Sequence, residues 1–177
     1  PFDFSRKIMS VVVEVNGNHR IIAKGAPEEI FKRCTRYELD GEILDMEELI
    51  LSDLREEYNN LSADGFRVLA IAYKDIEDKR EIYSRDDEKD LVLKGYVAFL
   101  DPPKPTVKRT IETLKRLGIE FKVLTGDNEL VTKKICSEVG LDAKGLVTGD
   151  EVDKLSDKEL QELVKTTTVF ARLSPLQ

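Results

Sequence analysis

Leu124-Thr-Gly-Asp-Asn128 follows directly on the apolar run Glu120-Phe-Lys-Val-Leu124 and leads into Glu129-Leu-Val131. The run before Thr125 reads as a strand, and Glu129 to Val139 reads as a helix stopped by Gly140. A strand passing into a helix through a glycine turn puts that turn at the strand's carboxyl end, where open α/β sheets bind ligands. Gly126 permits the tight turn, and the helix start offers free amides and a positive dipole end suited to phosphate. Thr125 is a candidate donor to a phosphoryl oxygen. Asp127 either caps the helix or faces a metal-bound nucleotide. Taken alone, the stretch also fits an ordinary helix N-cap.

The same grammar extends around it. Pro105 opens a helix that ends near Leu117-Gly118, and Leu146-Val147 is a short strand. Ser156-Asp-Lys-Glu159 is a capping box for a helix to about Val164, and Val169-Phe-Ala171 is a last strand. Alternating strands and helices imply a parallel α/β sheet. On the amino-terminal side Asp101-Pro102-Pro103-Lys104 is a stiff connection, because two prolines fix the chain and forbid helix before them.

Further upstream the pattern is different. Ser10-Val-Val-Val-Glu-Val15, Asn16-Gly17 and Arg20-Ile-Ile-Ala23 make a hairpin, and Tyr37 to Leu44 repeats the device around Asp40-Gly41. Between the hairpins Pro27 starts a short helix through about Cys34. A helix over about Met46 to Ala63 and a strand Arg67 to Tyr73 follow, then a charged run over 75–90 that reads as a solvated loop or exposed helix. Leu91 to Leu100 is one long apolar strand or a pair. The chain therefore divides into an α+β domain with an antiparallel sheet and an α/β domain, joined near 91–104.

Composition narrows the function classes. The chain has 177 residues, 41% hydrophobic and 36% charged, enough for a real core. No run approaches the length of apolar chain that crosses a bilayer, and no signal-like stretch follows Pro1. A net charge of −7, from 28 basic and 35 acidic residues, argues against nucleic acid as partner while leaving room for a local anion pocket. Cys34 and Cys136 form no CxxC pair, and with His19 as the single histidine no zinc set and no metal ligand is assigned. The two thiols read as core residues in a reducing compartment.

Three further positions carry chemistry. Lys24 ends a strand with a cation, and Gly25 after it would let a flat ligand approach the backbone. Phe2 offers a ring for a base to stack on, with Lys7 close behind it. Arg67, after Asp64-Gly65, has the reach to meet a phosphate. Singly, each has a plainer explanation: an exposed edge lysine, a core aromatic, a surface ion pair.

Together the elements resemble the P-type cation-transporting ATPases along essentially the whole chain. The match is ordered: Phe2…Lys7-x-Met9-Ser10, Lys24-Gly25-Ala26-Pro27-Glu28, Gly65-Phe-Arg67, Asp101-Pro102-Pro103-Lys104, Thr125-Gly126-Asp127 and Phe170-Ala171-Arg172-x-x-Pro175. Phe2 to Lys7, Gly95 to Lys104 and Thr125 to Val131 look most like the bacterial magnesium-importing branch; a calcium or proton pump is the alternative within the family.

The resemblance implies a nucleotide-binding domain at about 1–95 followed by an incomplete Rossmann-like, haloacid-dehalogenase-type phosphorylation subdomain at 96–177, hinged near 99–104, with ATP and Mg2+ as cofactors. Phe2 would stack on adenine, Lys7 and Lys24 would line the same pocket, Gly25 would allow close approach, and Arg67 would point to the phosphates. Asp101 would sit at the interdomain hinge, and Thr125 and Asp127 would face the transferred phosphoryl group. The family's phosphorylated Asp-Lys-Thr-Gly-Thr motif occurs nowhere in the chain, nor does Gly-Asp-Gly-x-Asn-Asp. The expectation is an excised fragment from the cytoplasmic side of a membrane protein, which binds nucleotide without forming an aspartyl phosphate. Its expected partners are the rest of the phosphorylation domain and the actuator and transmembrane domains. The truncated sheet is expected to leave an apolar edge, making the second half less stable or prone to self-association. A non-catalytic docking domain of the same fold is the reading from another class, and a stand-alone phosphatase is set aside for want of a nucleophile motif.

Overall fold

Two tight turns organise the first sheet of the computed structural model, which describes residues 6–77, 79–143 and 145–177. Strands β1 (Ile8–Val15) and β2 (Asn18–Gly25) pair antiparallel from Ile8 opposite Gly25 to Val15 opposite Asn18. Between them Asn16 and Gly17 both take left-handed backbone, with φ of 50° and 81°, the geometry of a twisted two-residue hairpin turn. Helix α1 (Pro27–Phe31) follows; it stops short of Cys34 because that residue opens β3 (Cys34–Leu39). Asp40 and Gly41 repeat the left-handed turn, at 52° and 87°, into β4 (Glu42–Asp45). Then come α2 (Glu48–Ala63), β5 (Phe66–Ile76) and β6 (Leu91–Leu100), the last a single strand of 10 residues.

These six strands form one sheet in the order β1-β2-β5-β6-β3-β4. Pairs β1–β2, β2–β5 and β3–β4 are antiparallel, but β3 and β6 run parallel. The all-antiparallel expectation fails at that pair. The chain leaves β3, passes through β4, α2 and β5, and returns to β3 in the same direction, as a long crossover allows. Ala23, Ala70 and Ala72 on the strands pack with Ile30 and Phe31 of α1, and Ile8, Leu91 and Leu93 complete that core. The charged run over 75–90 is less solvated than its composition suggests. A capping box joins Ser84 and Asp87 around the short helical turn Arg85–Asp87, and Glu88 beyond it is buried.

One close approach governs the open end of the first hairpin. A Cβ on Gly25 would lie 2.4 Å from the Lys7 carbonyl oxygen and 2.9 Å from Ile8 Cγ1. Glycine is required here by the packing of β1 on β2, independently of any ligand. The Ala26 amide donates to that same Lys7 carbonyl at 3.1 Å.

The second sheet has three parallel strands in the order β7-β9-β8. Its elements are α3 (Val107–Arg116), β7 (Val123–Leu124), α4 (Glu129–Glu138), β8 (Val147–Thr148), α5 (Gly149–Val152), α6 (Asp157–Thr166) and β9 (Val169–Ala171). Strand β7 is shorter than the 120–124 expected, and its ladder is with β9 alone. Ile111, Cys136, Val139, Leu141 and Val169 form the core beneath. Capping boxes start two helices: Thr148 with Glu151, and Ser156 with Glu159 as the sequence predicts. By contacts the chain forms two compact units, 1–59 with 68–99 and 60–67 with 100–177. Segment 60–67, including Arg67, thus groups with the second unit. Both cysteines are buried; burial pushes the Cys34 thiol up to about 12 and raises that of Cys136.

Gly25→Ala is expected to destabilise the protein by about 1–3 kcal/mol or more, because backbone rather than a flexible side chain fills the space. Urea unfolding of the variant against the parent chain measures it. Acid is the second test. The Arg20 fork grips Asp75 at 2.6 and 2.8 Å and holds its carboxyl below the usual range. Glu129 is pushed up by burial but lowered overall by its hydrogen bond to Arg172, and Glu159 is lowered by Ser156. Carboxyls depressed in the fold stabilise it above their unfolded pKa and lose that contribution as pH falls through the folded values. The melting temperature should be flat from about pH 7 to about pH 5 and fall below about pH 4.

Candidate functional site

Seven of the eight candidate residues are described, and they fall into two groups. In the first unit, Lys7 and Lys24 stand at the open end of the β1–β2 hairpin. Lys24 pairs with Met9, and Lys7 lies just beyond the last pair, Ile8 with Gly25. Lys24 is exposed between the buried Ala23 and Gly25, so alternation turns it to the sheet face opposite the core. Lys7 is exposed too, on left-handed backbone with φ of 56°. Neither ammonium has an ion pair or hydrogen-bond partner among the described residues. The structure therefore brings Lys7, Lys24 and Gly25 together. Phe2 lies outside the described residues.

In the second unit, Arg67 bridges two carboxylates, with Nη1 at 3.2 Å from Asp101 Oδ2 and Nη2 at 2.9 Å from Asp127 Oδ2. Thr125 Oγ1 donates to the same Asp127 oxygen at 3.1 Å, and the Asp127 amide donates back to Thr125 Oγ1 at 3.1 Å. Arg67, Asp101, Thr125 and Asp127 thus make one contiguous charged cluster. The guanidinium carries five donors in a planar fork, of which these contacts engage two nitrogens.

Helix α4 is capped by Asn128 and not by Asp127. Asn128 Oδ1 accepts from the Val131 amide at 2.9 Å, while its Nδ2 donates to Ser62 Oγ, a fully buried hydroxyl, at 3.1 Å. That division of labour leaves the Asp127 carboxylate for Arg67. The turn is also pinned to the chain beyond β9: the Arg172 amide donates to the Asp127 carbonyl at 2.8 Å and the Leu173 amide to that of Thr125 at 3.0 Å. Arg172, itself left-handed at φ 54°, grips Glu129 at 2.5 Å through Nε. Sequence reasoning assigned no role to Asn128, Ser62, Glu129 or Arg172. An asparagine directly before a helix is a recognised cap and signalled the first; the others depend on tertiary placement.

Two surface grooves lie elsewhere. One of about 490 Å³ in the first unit is lined by Tyr37, Leu54 and Tyr96 among others, and one of about 430 Å³ in the second by Phe121, Lys122 and Lys165. Neither is lined by any of the seven described candidates. Among the described residues no three His, Cys, Asp or Glu side chains are grouped to hold a metal ion, and no helix is long and apolar enough to cross a membrane.

The family profile described as "P-type ATPase, cytoplasmic domain N" matches residues 1–106. The chain is 46% identical over 177 residues to the magnesium-transporting ATPase, P-type 1, of Escherichia coli K12, covering 99% of this chain and 20% of that protein. The protein of the same name from Salmonella typhimurium 14028s is 45% identical over the same shares. Calcium-transporting ATPase 1 of Lactococcus lactis IL1403 is 35% identical, again over 99% of this chain and 20% of that protein. The chain thus spans about a fifth of the length of these relatives. With the match extending over more than half its residues, the chain belongs to the P-type ATPase cytoplasmic domain N family.

Proposed function

We propose that this chain is the ATP-binding part of a P-type ATPase that transports magnesium. The observation that carries the reading is the pair Lys7 and Lys24: two exposed lysines without side-chain partners among the described residues, both at the open end of the β1–β2 hairpin, on a chain of net charge −7. An acidic protein that leaves two neighbouring cations uncompensated has a ready place for a polyanion. The sequence neighbourhood supplies Phe2 as the ring for the base. Higher identity to the magnesium-transporting relatives than to the calcium-transporting one favours magnesium as cargo of the whole protein.

In this reading residues 1–95 are the nucleotide domain and 96–177 part of a haloacid-dehalogenase-like phosphorylation domain, hinged near 99–104. Three parallel strands with Thr125 and Asp127 at the carboxyl end of β7 suit that role. Lys7 and Lys24 neutralise phosphate charge, and Arg67, oriented by Asp101 and Asp127, offers its remaining donors to a phosphoryl oxygen. Mg2+ usually keeps several waters and takes one or two carboxylates plus substrate phosphates. Asp101 and Asp127 are both held by the Arg67 guanidinium, so an ion brought by the nucleotide would rest mainly on its phosphates and waters, where it would offset their charge. Without an Asp-Lys-Thr-Gly-Thr segment the chain binds nucleotide and does not turn over. ATP hydrolysis through an aspartyl phosphate, at the cytoplasmic side of a membrane, belongs to the whole protein. There, further strands of the phosphorylation domain cover the β7 edge, where Leu124 is 68% exposed; without them, self-association is the alternative.

Titrating ATP while following amide chemical shifts tests the reading. The expected dissociation constant is about 0.1–1 mM, or roughly 4–5 kcal/mol. Shifts should centre on Lys7, Lys24 and Gly25, and Lys24→Ala should weaken binding about 3–10-fold. Shifts confined to the Tyr37–Tyr96 groove, with Lys24→Ala binding as the parent does, would overturn it.

A further inference from the structure

We propose that Glu88 is a positioning residue for Lys7, holding the lysine's backbone so that its ammonium waits where the nucleotide's phosphates arrive. The proposal rests on the nucleotide reading above and adds to it a residue from the charged run that sequence analysis left without a role.

Glu88 is the one charged side chain buried among the described residues, at 8% exposure. Its two oxygens serve two different partners. Oε2 accepts from Arg6 Nη1, and Oε1 accepts from Ser10 Oγ at 2.6 Å. Those partners stand on either side of Lys7, so one carboxylate straps residues 6 and 10 across the turn that Lys7 makes. The backbone at Lys7 is left-handed, at φ 56°, which an L-residue other than glycine seldom adopts unless its surroundings impose it. Two supports on the β2 side are already evident: the Ala26 amide on the Lys7 carbonyl, and the missing Cβ of Gly25. Glu88 is the support from the other side.

The strap is anchored at its own end. Just before it, the helical turn Arg85–Asp87 is closed by Ser84, and Arg80 pairs with Asp87 at 2.8 Å. Just after it, the Leu91 amide donates to the Arg33 carbonyl at 2.8 Å and β6 begins. The carboxylate therefore projects from a fixed point. A buried ion pair is a poor way to add stability, since apolar groups of similar volume often do as well. What it supplies is orientation of each partner by a directed hydrogen bond. The Lys7 ammonium has no side-chain partner among the described residues, so the backbone sets the point from which its flexible stem reaches. Fixing it in advance removes ordering cost from nucleotide binding.

The experiment is a double-mutant cycle on the 177-residue chain, read by ATP titration with amide shifts. Glu88→Gln keeps the side chain's shape and loses its charge. It is expected to weaken ATP binding about tenfold in the parent chain and less than about twofold in a Lys7→Ala background, since the loss runs through Lys7. Ser10→Ala removes a single bond to Glu88, disturbs folding least, and should show a smaller loss with the same dependence on Lys7. Equal losses in both backgrounds would mean Glu88 merely supports the fold and overturns the proposal, as would parent-like affinity in both Glu88→Gln and Ser10→Ala. Lys24→Ala separates the two readings: if it too binds like the parent chain, the nucleotide site itself is misplaced; if it weakens binding while the cycle shows no coupling, only the role of Glu88 falls.

Discussion

At the corner where β2 turns into α1, two backbones come closer than a side chain would tolerate. The Lys7 carbonyl sits against Gly25 and takes the Ala26 amide, and the register of the whole hairpin follows from that contact. Slip by one residue and every apolar side chain of β1 would change faces. Ile8 would leave its place in the core, and Ala23 would lose the neighbours that let it sit under α1. The same contact determines where two cations stand. Lys24 precedes the glycine on the face away from the core, and Lys7 provides the carbonyl itself. Fold and charge placement here are one constraint seen from two sides.

Electrostatics in the second unit follows a different economy. Arg67 meets Asp101 and Asp127, and Arg172 meets Glu129, so the turn after β7 is held by ion pairs as well as by amides. These pairs are partly exposed, and water screens much of their attraction. Their worth lies in aim. Asn128 takes over the capping of α4, and the Asp127 carboxylate is thereby turned outward to the guanidinium.

Local chemistry was readable from sequence wherever a few adjacent residues determine the outcome. Asn16-Gly17 and Asp40-Gly41 announced their turns because few other residues accept left-handed backbone. Ser156 and Glu159 announced a helix start for an equally local reason. What escaped depended on distant partners. Strand β7 is only two residues long, as is its pairing with the distant β9, and the parallel pairing of β3 with β6 joins segments far apart in sequence. Asp127 was the candidate cap in the sequence, yet Asn128 takes that place, with its amide anchored on the distant Ser62. Glu88 sits in a run whose composition says solvent, and its burial comes from Arg6 and Ser10 near the opposite end of the domain. Arg67 does what the plainer reading held, forming an ion pair, though with the very aspartates singled out for chemistry.

The position of β6 has a bearing on how the first unit comes into being. It is the last strand of its sheet to be synthesised, yet it stands between β5 and β3. Until residue 100 has emerged, the growing chain holds two separate sheet fragments, β1-β2-β5 and β3-β4, each with a raw edge facing a gap. Both hairpins can close early, but they remain unconnected halves. A nascent chain halted before Leu91 would be a sticky one, open to pairing with its neighbours on the polysome. The apolar run at Leu91 to Leu93 acts as the keystone of the arch: last set in place, and bearing on both sides.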